Sequence, residues 1–261
     1  MIKRLFLPLI SALFQISIIL IGIGWVLDSG AEAMNYTWQW SRIPPFIAVF
    51  EDGRWWATEL SLGLWVTIKL SIASFVGTLA IGLTTALLRT SHSIIGKGLA
   101  WCYIELIRNT PLLVQVYILY FILGPTLGFE RFTTAILALS LFQGAYTAEV
   151  IRAGLNSIDN GQREAALSLG LSNIDTYRYI LLPQMIQRVL PPLTNEAVSL
   201  IKNSSIVSVM AIFDLTTEAR NLVSETAMPF EIWFVVAVLY LILTLSLSMV
   251  AARLEHRFGI N

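Results

Sequence analysis

The chain has 261 residues, of which 56% are hydrophobic and 13% charged, and its formal net charge is zero. A soluble domain carries about a quarter charged residues, so this composition indicates an integral membrane protein. The neutral balance provides no field that would recruit nucleic acid. The single cysteine, Cys102, excludes a disulfide framework within the chain, and no spacing typical of zinc ligands appears, so we expect no metal site.

Six apolar stretches are long enough to cross a bilayer, which takes about 20 residues in a helix. In chain order they cover residues 5–27, 60–88, 110–129, 132–151, 189–213 and 232–252. We therefore predict an all-α polytopic membrane protein with about six transmembrane helices, an N-terminal helix followed by a five-helix core. We divide it into residues 1–58, the N-terminal helix with an external loop, and residues 59–261, the membrane domain.

The first stretch has a second interpretation. MIKRLFLPLISALF, followed by AEA at residues 31–33, resembles a signal peptide with a small-residue cleavage site. Its apolar region of about 23 residues is longer than the usual 7–15, which favours a retained transmembrane helix.

Lysine and arginine residues predict the orientation, because they concentrate in the short cytoplasmic loops. If the N-terminus is inside, eleven lie on the cytoplasmic side: Lys3, Arg4, Arg89, Lys97, Arg108, Arg152, Arg163, Arg178, Arg188, Arg253 and Arg257. Four lie outside: Arg42, Arg54, Arg131 and Arg220. We therefore expect both termini to be cytoplasmic. The outer loop then carries tryptophans suited to the membrane interface, Trp38, Trp40, Trp55 and Trp56.

A polar segment, GQREAALSLGLSNIDTYRYILLP at residues 161–183, separates the fourth and fifth apolar stretches. Asp159 or Asn160 can cap a first helix, and Gly170 is a suitable residue to end it. A second helix can begin at Ser172 and run to a break at the leucine–proline pair that closes the segment. The predicted result is a cytoplasmic helix, a glycine corner and a second helix.

The first of these helices has a small apolar face formed by Ala165, Ala166 and Leu169. Three such side chains are too few to form a core. We expect them to dock into a groove of a partner protein. An ordinary amphipathic cytoplasmic loop is the alternative.

The same segment resembles the EAA motif, Glu-Ala-Ala-x3-Gly-x9-Ile-x-Leu-Pro, of bacterial ABC importer permeases. All seven defining positions are met: Glu164, Ala165, Ala166, Gly170, Ile180, Leu182 and Pro183. The resemblance implies the transmembrane domain of a type I ABC importer. It also implies that residues 159–170 form the coupling helix, held in a cleft of a separate ATP-binding subunit.

Further stretches resemble the polar amino-acid permeases of the histidine and glutamine type. They are ELIRNTPLLVQVY at residues 105–117, AYTAEVIRAGLNSI at 145–158 and LIKNSSIVSVMAI at 200–212. The resemblance runs from about residue 60 to the C-terminus, and it implies an amino-acid cargo. Several members that move basic amino acids have aspartate where this chain has Asn203, which favours a neutral or acidic substrate.

The resemblance also implies partners. A second permease chain, identical or related, would pair with this one, ATP-binding subunits would dock on the coupling helix, and an extracytoplasmic binding protein would deliver substrate. The chain has no G-x-x-x-x-G-K-[ST] phosphate loop, so we expect it to bind no cofactor and ATP and Mg²⁺ to reside on the partner ATPase. We expect no catalytic residues, and we expect the prokaryotic cytoplasmic (inner) membrane as the location.

Polar residues inside the predicted spans are candidates for a substrate pathway, because ionisable groups are costly in a bilayer. Glu196, Ser199 and Asn203 are spaced i, i+3 and i+7 and so share one helical face. The predicted pathway residues are Gln143, Tyr146, Asn195, Glu196, Ser199 and Asn203. The alternative is that these groups hold helices together by interhelical hydrogen bonds.

Other charged residues near the spans have less certain roles. Glu149 and Arg152 are an i, i+3 pair. Lys69 lies about 15 Å along its helix, and we expect it to face protein rather than lipid. Lys202 lies off the polar face and could pair with a carboxylate of another helix. Arg108 precedes Pro111, and a structural helix start explains this segment as well as a role in transport does.

Two other functions are open. One is an importer of the same architecture for oligopeptides or metal ions, against which RNTPLLVQ and KNSS argue. The other is a secondary transporter or channel, which would require ion-coupling residues or inverted repeats and would leave the polar segment unexplained. An enzyme is least favoured, because no nucleophile–base set is evident.

Overall fold

The structure, a computed structural model, describes residues 2–257. The two chain ends, which we predict to be cytoplasmic, lie outside the described residues. The chain divides into two compact units, Met1–Ile43 and Pro44–Asn261. The first unit consists of helix α1 (Ile2–Ala33) and a 3-10 turn at Trp40–Arg42.

The second unit is a helical bundle preceded by a β-hairpin of β1 (Ala48–Glu51) and β2 (Arg54–Ala57). Its long helices are α2 (Glu59–Thr90), α6 (Arg131–Asn156), α9 (Leu182–Asn203) and α11 (Pro229–Arg257). The shorter helices are α3 (Ile94–Arg108), α4 (Leu112–Tyr117), α5 (Gly124–Leu127), α7 (Asn160–Ser168), α8 (Asn173–Asp175) and α10 (Leu215–Thr226). π-Helical turns at Ile118–Leu123 and Thr176–Leu181 join α4 to α5 and α8 to α9, and a 3-10 turn at Ser204–Met210 follows α9.

The predicted all-α polytopic architecture is confirmed. Within residues 2–257, four helices are long and apolar enough to cross a membrane, and they correspond to α1, α2, α6 and α11. Two bent pairs supply the other spans: α3 with Leu112–Leu127 at 107°, and Asn173–Met210 with α10 at 52°. If each bent pair is one span, the described chain crosses six times.

Two predicted helix boundaries are wrong. The break expected at Pro183 does not occur, and the fifth span does not begin at residue 189, because a helix runs without interruption over Asn173–Met210. Pro183 lies in the first turn of α9, directly after the π-helical turn. Local π-helical adjustments of this kind accommodate a proline within a membrane helix, so the helix continues through Pro183. Pro191 and Pro192 lie inside α9 rather than at its start.

The predicted third span is also different. Leu112–Leu127 alone would be about 24 Å long, which is shorter than the hydrocarbon core of about 30 Å. It is joined to α3 at the 107° bend. Proline at position 111 stands just before α4, where its extended backbone (φ −62°, ψ 138°) ends the preceding helix. The predicted uninterrupted third span over residues 110–129 is therefore replaced by two helices that meet at this bend.

The bundle has two ends, named here after the helices that lie there. At the α7 end, α6 finishes, α7 follows and α9 begins, and a core cluster joins α2, α3, α6 and α9 through Ala86, Ile104, Ala148, Ile151 and Val189. At the α10 end, α2 begins, and the backbone N–H of Leu215 donates to Thr67 Oγ1 at 3.1 Å. The hairpin is held at this end, since Ser61 Oγ of α2 donates to Ile47 O at 2.7 Å.

Helices α6 and α9 approach closely where Gly154 faces Val189. A Cβ placed on Gly154 would collide with the Val189 side chain, so a residue without a side chain is required there. Val189 is β-branched and stiff at χ1, and it is itself buried at 4% exposure. This contact sets the separation of the two helices at the α7 end.

Replacing Gly154 by leucine should therefore destabilise the bundle by about 1–3 kcal/mol, the usual cost of overpacking a core. The measurement is the thermal unfolding midpoint of the purified chain in detergent, together with the amount inserted in the membrane. Gly98→Leu on α3 is the matched control, because a Cβ there meets nothing within 4 Å. Equal stability of the two variants would contradict the close contact.

Candidate functional site

The predicted helix–glycine–helix arrangement is confirmed. Asp159 caps α7, its Oδ1 accepting from the N–H of Gly161 at 2.7 Å. Gly170 has φ +82° and its N–H donates to Leu167 O at 3.0 Å, so a left-handed residue ends the helix as glycine permits. Ser172 then caps the next helix by accepting from the N–H of Asp175 at 3.1 Å.

The predicted apolar face of α7 needs a correction. Leu169 is 84% exposed and Ala165 is also exposed, whereas Ala166 is buried at 4% exposure. Residues 165 and 169 are four apart and share a face, while Ala166 is turned by about 100°. Its side is covered by the chain itself, because α7 packs against the turn Thr176–Leu181. Glu164 is exposed as well, and Ala165 and Leu169 remain as the outward-facing apolar pair.

The exposed apolar surface continues across the glycine corner. Ile174 is 78% exposed and Tyr177 is 51% exposed. We call Leu169, Ile174 and Tyr177 the corner surface. The two helices of the corner are also joined by Arg163 Nη2, which donates to Asn173 Oδ1 at 3.4 Å. The sequence did not lead us to predict that Ile174 and Tyr177 belong to this exposed surface. The available signal was Ile174, an isolated apolar residue two positions after the helix cap in a polar segment.

The predicted polar faces of α6 and α9 meet each other. Gln143 is buried, and its Nε2 donates to Glu196 Oε2. Asn203 Nδ2 donates to Gln143 Oε1 at 3.3 Å. We call Gln143, Glu196 and Asn203 the amide–carboxylate cluster. The structure thus brings together three of the residues that the sequence placed on two separate helices.

A cation lies beside this cluster. The Arg108 guanidinium at the end of α3 stands over the Tyr146 ring, 5.4 Å from its centroid. Arg108 Nη1 is also 4.0 Å from Glu149 Oε2. The predicted pair of Glu149 and Arg152 is confirmed, with Arg152 Nη2 at 2.7 Å from Glu149 Oε2. Arg108 therefore contacts α6 next to the predicted pathway, which the sequence left undecided.

The other predicted pathway residues are less closely engaged. Asn195 is exposed and Ser199 is half-buried, and in the described part of the chain neither hydrogen-bonds to the amide–carboxylate cluster. Lys69 is exposed, with its ammonium 5.7 Å from the Trp65 ring centroid. Lys69 has no partner carboxylate in an ion pair of residues 2–257, and the expectation that it faces protein rather than lipid stays a prediction. Lys202 is exposed and belongs to neither ion pair of residues 2–257.

The chemistry available at these sites is binding chemistry. The amide–carboxylate cluster and Arg108 offer hydrogen-bond donors, acceptors and both signs of charge to a polar solute. Among the described residues, no group of three or more His, Cys, Asp or Glu side chains could hold a metal ion.

Comparison with known proteins identifies the family. Residues 78–260 match the family described as binding-protein-dependent transport system inner membrane component. The chain belongs to this family. The permease is 38% identical to the glutamine transport system permease protein GlnP of Escherichia coli (strain K12) over 224 residues, which are 85% of this chain and 98% of that protein.

Other relatives agree with this family. The permease is 38% identical to the probable glutamine ABC transporter permease protein GlnM of Bacillus subtilis (strain 168), over 75% of this chain and 91% of that protein. It is 30% identical to the glutamate/aspartate import permease protein GltJ of Escherichia coli (strain K12), over 86% of this chain and 96% of that protein.

Solved structures confirm the predicted transmembrane fold. A chain of an amino acid ABC transporter crystallised with histidines superposes with a TM-score of 0.70 at 38% identity, covering 76% of the permease and 93% of that chain. The MetNI methionine ABC transporter in an inward-facing conformation superposes with a TM-score of 0.65 at 18% identity, covering 77% and 96%. The second likeness supports the fold alone. The predicted family, a permease of ABC importers, is thereby confirmed.

Proposed function

We propose that the permease is the membrane subunit of an ATP-driven importer that moves a polar, uncharged amino acid, of the glutamine class, across the cytoplasmic membrane of a prokaryote. The observation that carries this proposal is the amide–carboxylate cluster, which joins two membrane-crossing segments within the bundle. Relatives named for glutamine and for glutamate/aspartate transport support an amino-acid cargo.

The groups of the site suit a zwitterion with a polar side chain. Glu196 can accept from an ammonium group, and Arg108 can bind a carboxylate, the pairings that give the strongest hydrogen bonds. Gln143 and Asn203 offer amide donors and acceptors for the side chain of the cargo. Asn203 stands where a carboxylate would favour a cationic side chain, so a neutral one fits better. Tyr146, Asn195 and Ser199 would line the approach to this site.

Two exposed lysines support the proposal that a second permease chain pairs with this one. Lys69 and Lys202 are exposed on helices of the membrane-crossing bundle, and a charge within the bilayer costs several kcal/mol if it faces lipid. A second permease chain, identical or related, would place these lysines at an interface or along an aqueous path.

The corner surface would bind the ATP-binding subunit, which holds ATP and Mg²⁺. An extracytoplasmic binding protein would deliver substrate at the α10 end. With Arg108 placed at the bend between α3 and α4, ten lysines and arginines remain on the predicted cytoplasmic side against four outside, which supports a cytoplasmic position for α7 and for both termini. Closure of the ATPases would move the coupling segment and shift the bundle between two global states.

The first experiment is uptake of a panel of labelled amino acids by cells with and without the permease, before and after ATP depletion. We expect a subset that includes neutral polar amino acids to depend on both the permease and ATP. If no amino acid responds, the cargo assignment is wrong. If the lost uptake follows an ion gradient and survives ATP depletion, the importer mechanism is wrong.

Asn203→Asp should widen the substrate range towards cationic amino acids, because it adds a carboxylate beside Gln143 and Glu196. We expect lysine or arginine to compete for uptake about tenfold better than with the wild type, the effect of one additional charge-assisted hydrogen bond. Competition assays measure this change. Asn35→Asp, at an exposed position in the first unit, is the matched control. An unchanged range in Asn203→Asp would leave Asn203 as an interhelical contact.

A further inference from the structure

A lateral groove of about 410 Å³ lies between α2, α9 and α11. Apolar side chains line almost all of it, among them Ile72 and Val76 of α2, Leu200 of α9, and Leu247 and Val250 of α11. The groove is on a different side of α9 from the amide–carboxylate cluster, since none of the cluster residues lines it. The proposed cargo-binding residues Gln143, Glu196 and Asn203 therefore do not face this groove.

The depth of the groove follows from neighbouring hydrogen bonds. Thr67 Oγ1 accepts from the N–H of Leu215 at 3.1 Å, and Thr216 Oγ1 lies 3.0 Å from the Tyr240 hydroxyl. Because Leu215 and Thr216 are consecutive, these bonds place Thr67 and Tyr240 at one level. The groove begins next to that level, with Ile68 of α2 and Leu243 of α11, and extends towards the α7 end. Helices α2 and α11 are both long and apolar enough to cross a membrane, which would place the groove against hydrocarbon.

An arginine of α11 lies just beyond the groove, on the side of the α7 end. Arg253 comes three residues after Val250, which places it on the same side of the helix, one turn nearer the α7 end. Its side chain is exposed and belongs to neither ion pair of the described chain. On the neighbouring side, Thr194 Oγ1 donates to Glu255 Oε1 at 3.3 Å, which joins α9 to α11 beside this exit.

The distances match one leaflet of a bilayer. Leu243, which lines the far part of the groove, is ten residues from Arg253, or about 15 Å along the helix. Half of a hydrocarbon core of about 30 Å is the same length. An acyl chain that lies in the groove would therefore bring its own headgroup to the level of Arg253.

We propose that this groove binds an acyl chain of an anionic phospholipid from the leaflet on the α7 side, with the lipid phosphate held by Arg253. The apolar lining matches the chain, and the exposed guanidinium matches the phosphate, which it can bind through two parallel hydrogen bonds. The site would thus bind both the acyl chain and the headgroup phosphate of the lipid. It does not depend on which solute the permease transports.

The test uses the full chain in nanodiscs that contain phosphatidylglycerol with a photoactivatable diazirine in one acyl chain. Cross-links should concentrate on the groove-lining residues of α2 and α11. Phosphatidylcholine with the same label should give about fivefold fewer cross-links, the effect of one arginine near an anionic headgroup. Arg253→Gln should remove that difference between the lipids and retain the positions of the cross-links.

Leu247→Trp fills the groove and should abolish the cross-links. The matched control is Leu245→Trp, on α11 but outside the groove and 51% exposed, which should keep them. Cross-links spread evenly around the bundle, or unaffected by Leu247→Trp, would refute the site. A disulfide between two copies of Leu247→Cys, made in a Cys102→Ser background, would also overturn it, because a second permease chain would then occupy the groove.

Discussion

A permease with Leu169→Arg should be inserted in the membrane normally but should transport almost nothing. Leu169 is 84% exposed at the glycine corner, although it is a large apolar residue, and we propose that a groove of the ATPase covers it. An arginine would place an unpaired charge in that groove. Loss of a central interface residue costs about 2–4 kcal/mol, so we expect association to weaken at least about 30-fold.

The measurement is recovery of the ATP-binding subunit with affinity-tagged permease, alongside uptake. Leu167→Arg is the control, since Leu167 lies nearly opposite Leu169 around α7 and is only 39% exposed. We expect that variant to retain most of its partner. If Leu169→Arg binds the ATPase and transports as well as the wild type, the corner surface is not the docking site.

The second large effect should come from Glu196→Ala. Gln143 would lose the acceptor of its Nε2, and the cargo would lose the carboxylate proposed to bind its ammonium. A hydrogen bond to a charged group is worth about 1.5–3 kcal/mol, so uptake efficiency should fall about 10- to 100-fold. The readout is the concentration dependence of uptake together with ATP hydrolysis, which should continue in the variant.

Two controls separate a transport role from a structural one. Glu225→Ala removes an exposed carboxylate of α10 and should leave uptake unchanged. Gln143→Ala, Glu196→Ala and the double variant form a cycle whose single effects should not add, because the two side chains share a bond. A lower unfolding midpoint with normal uptake in Glu196→Ala would assign the cluster to helix packing.

Features encoded by local spacing were predictable from the sequence. The caps at Asp159 and Ser172 and the stop at Gly170 depend only on neighbouring residues, and all three are present in the structure. The shared face of Glu196 and Asn203 follows from helical periodicity, and both residues contact Gln143.

Features that depend on how distant segments pack were not predictable. Arg108 reaches Tyr146 because α3 and α4 meet at a 107° bend, an angle that no local pattern encodes. Ala166 was misplaced for the same reason, since only the folded chain shows that the turn Thr176–Leu181 covers its side of α7. The predicted helix break at Pro183 was wrong because a π turn accommodates the proline.

The uninterrupted helix Asn173–Met210 has a mechanical consequence. It begins beside the corner surface and carries Glu196 and Asn203 about 35–45 Å further along its length. Val189, which presses against Gly154, lies about midway between the corner and Asn203. If this helix pivots as one body at Val189, a push at the corner surface would swing Glu196 and Asn203 in the opposite direction. Inward movement of the corner surface, driven by the ATPase, would thereby move the amide–carboxylate cluster, which we propose holds the cargo, outwards.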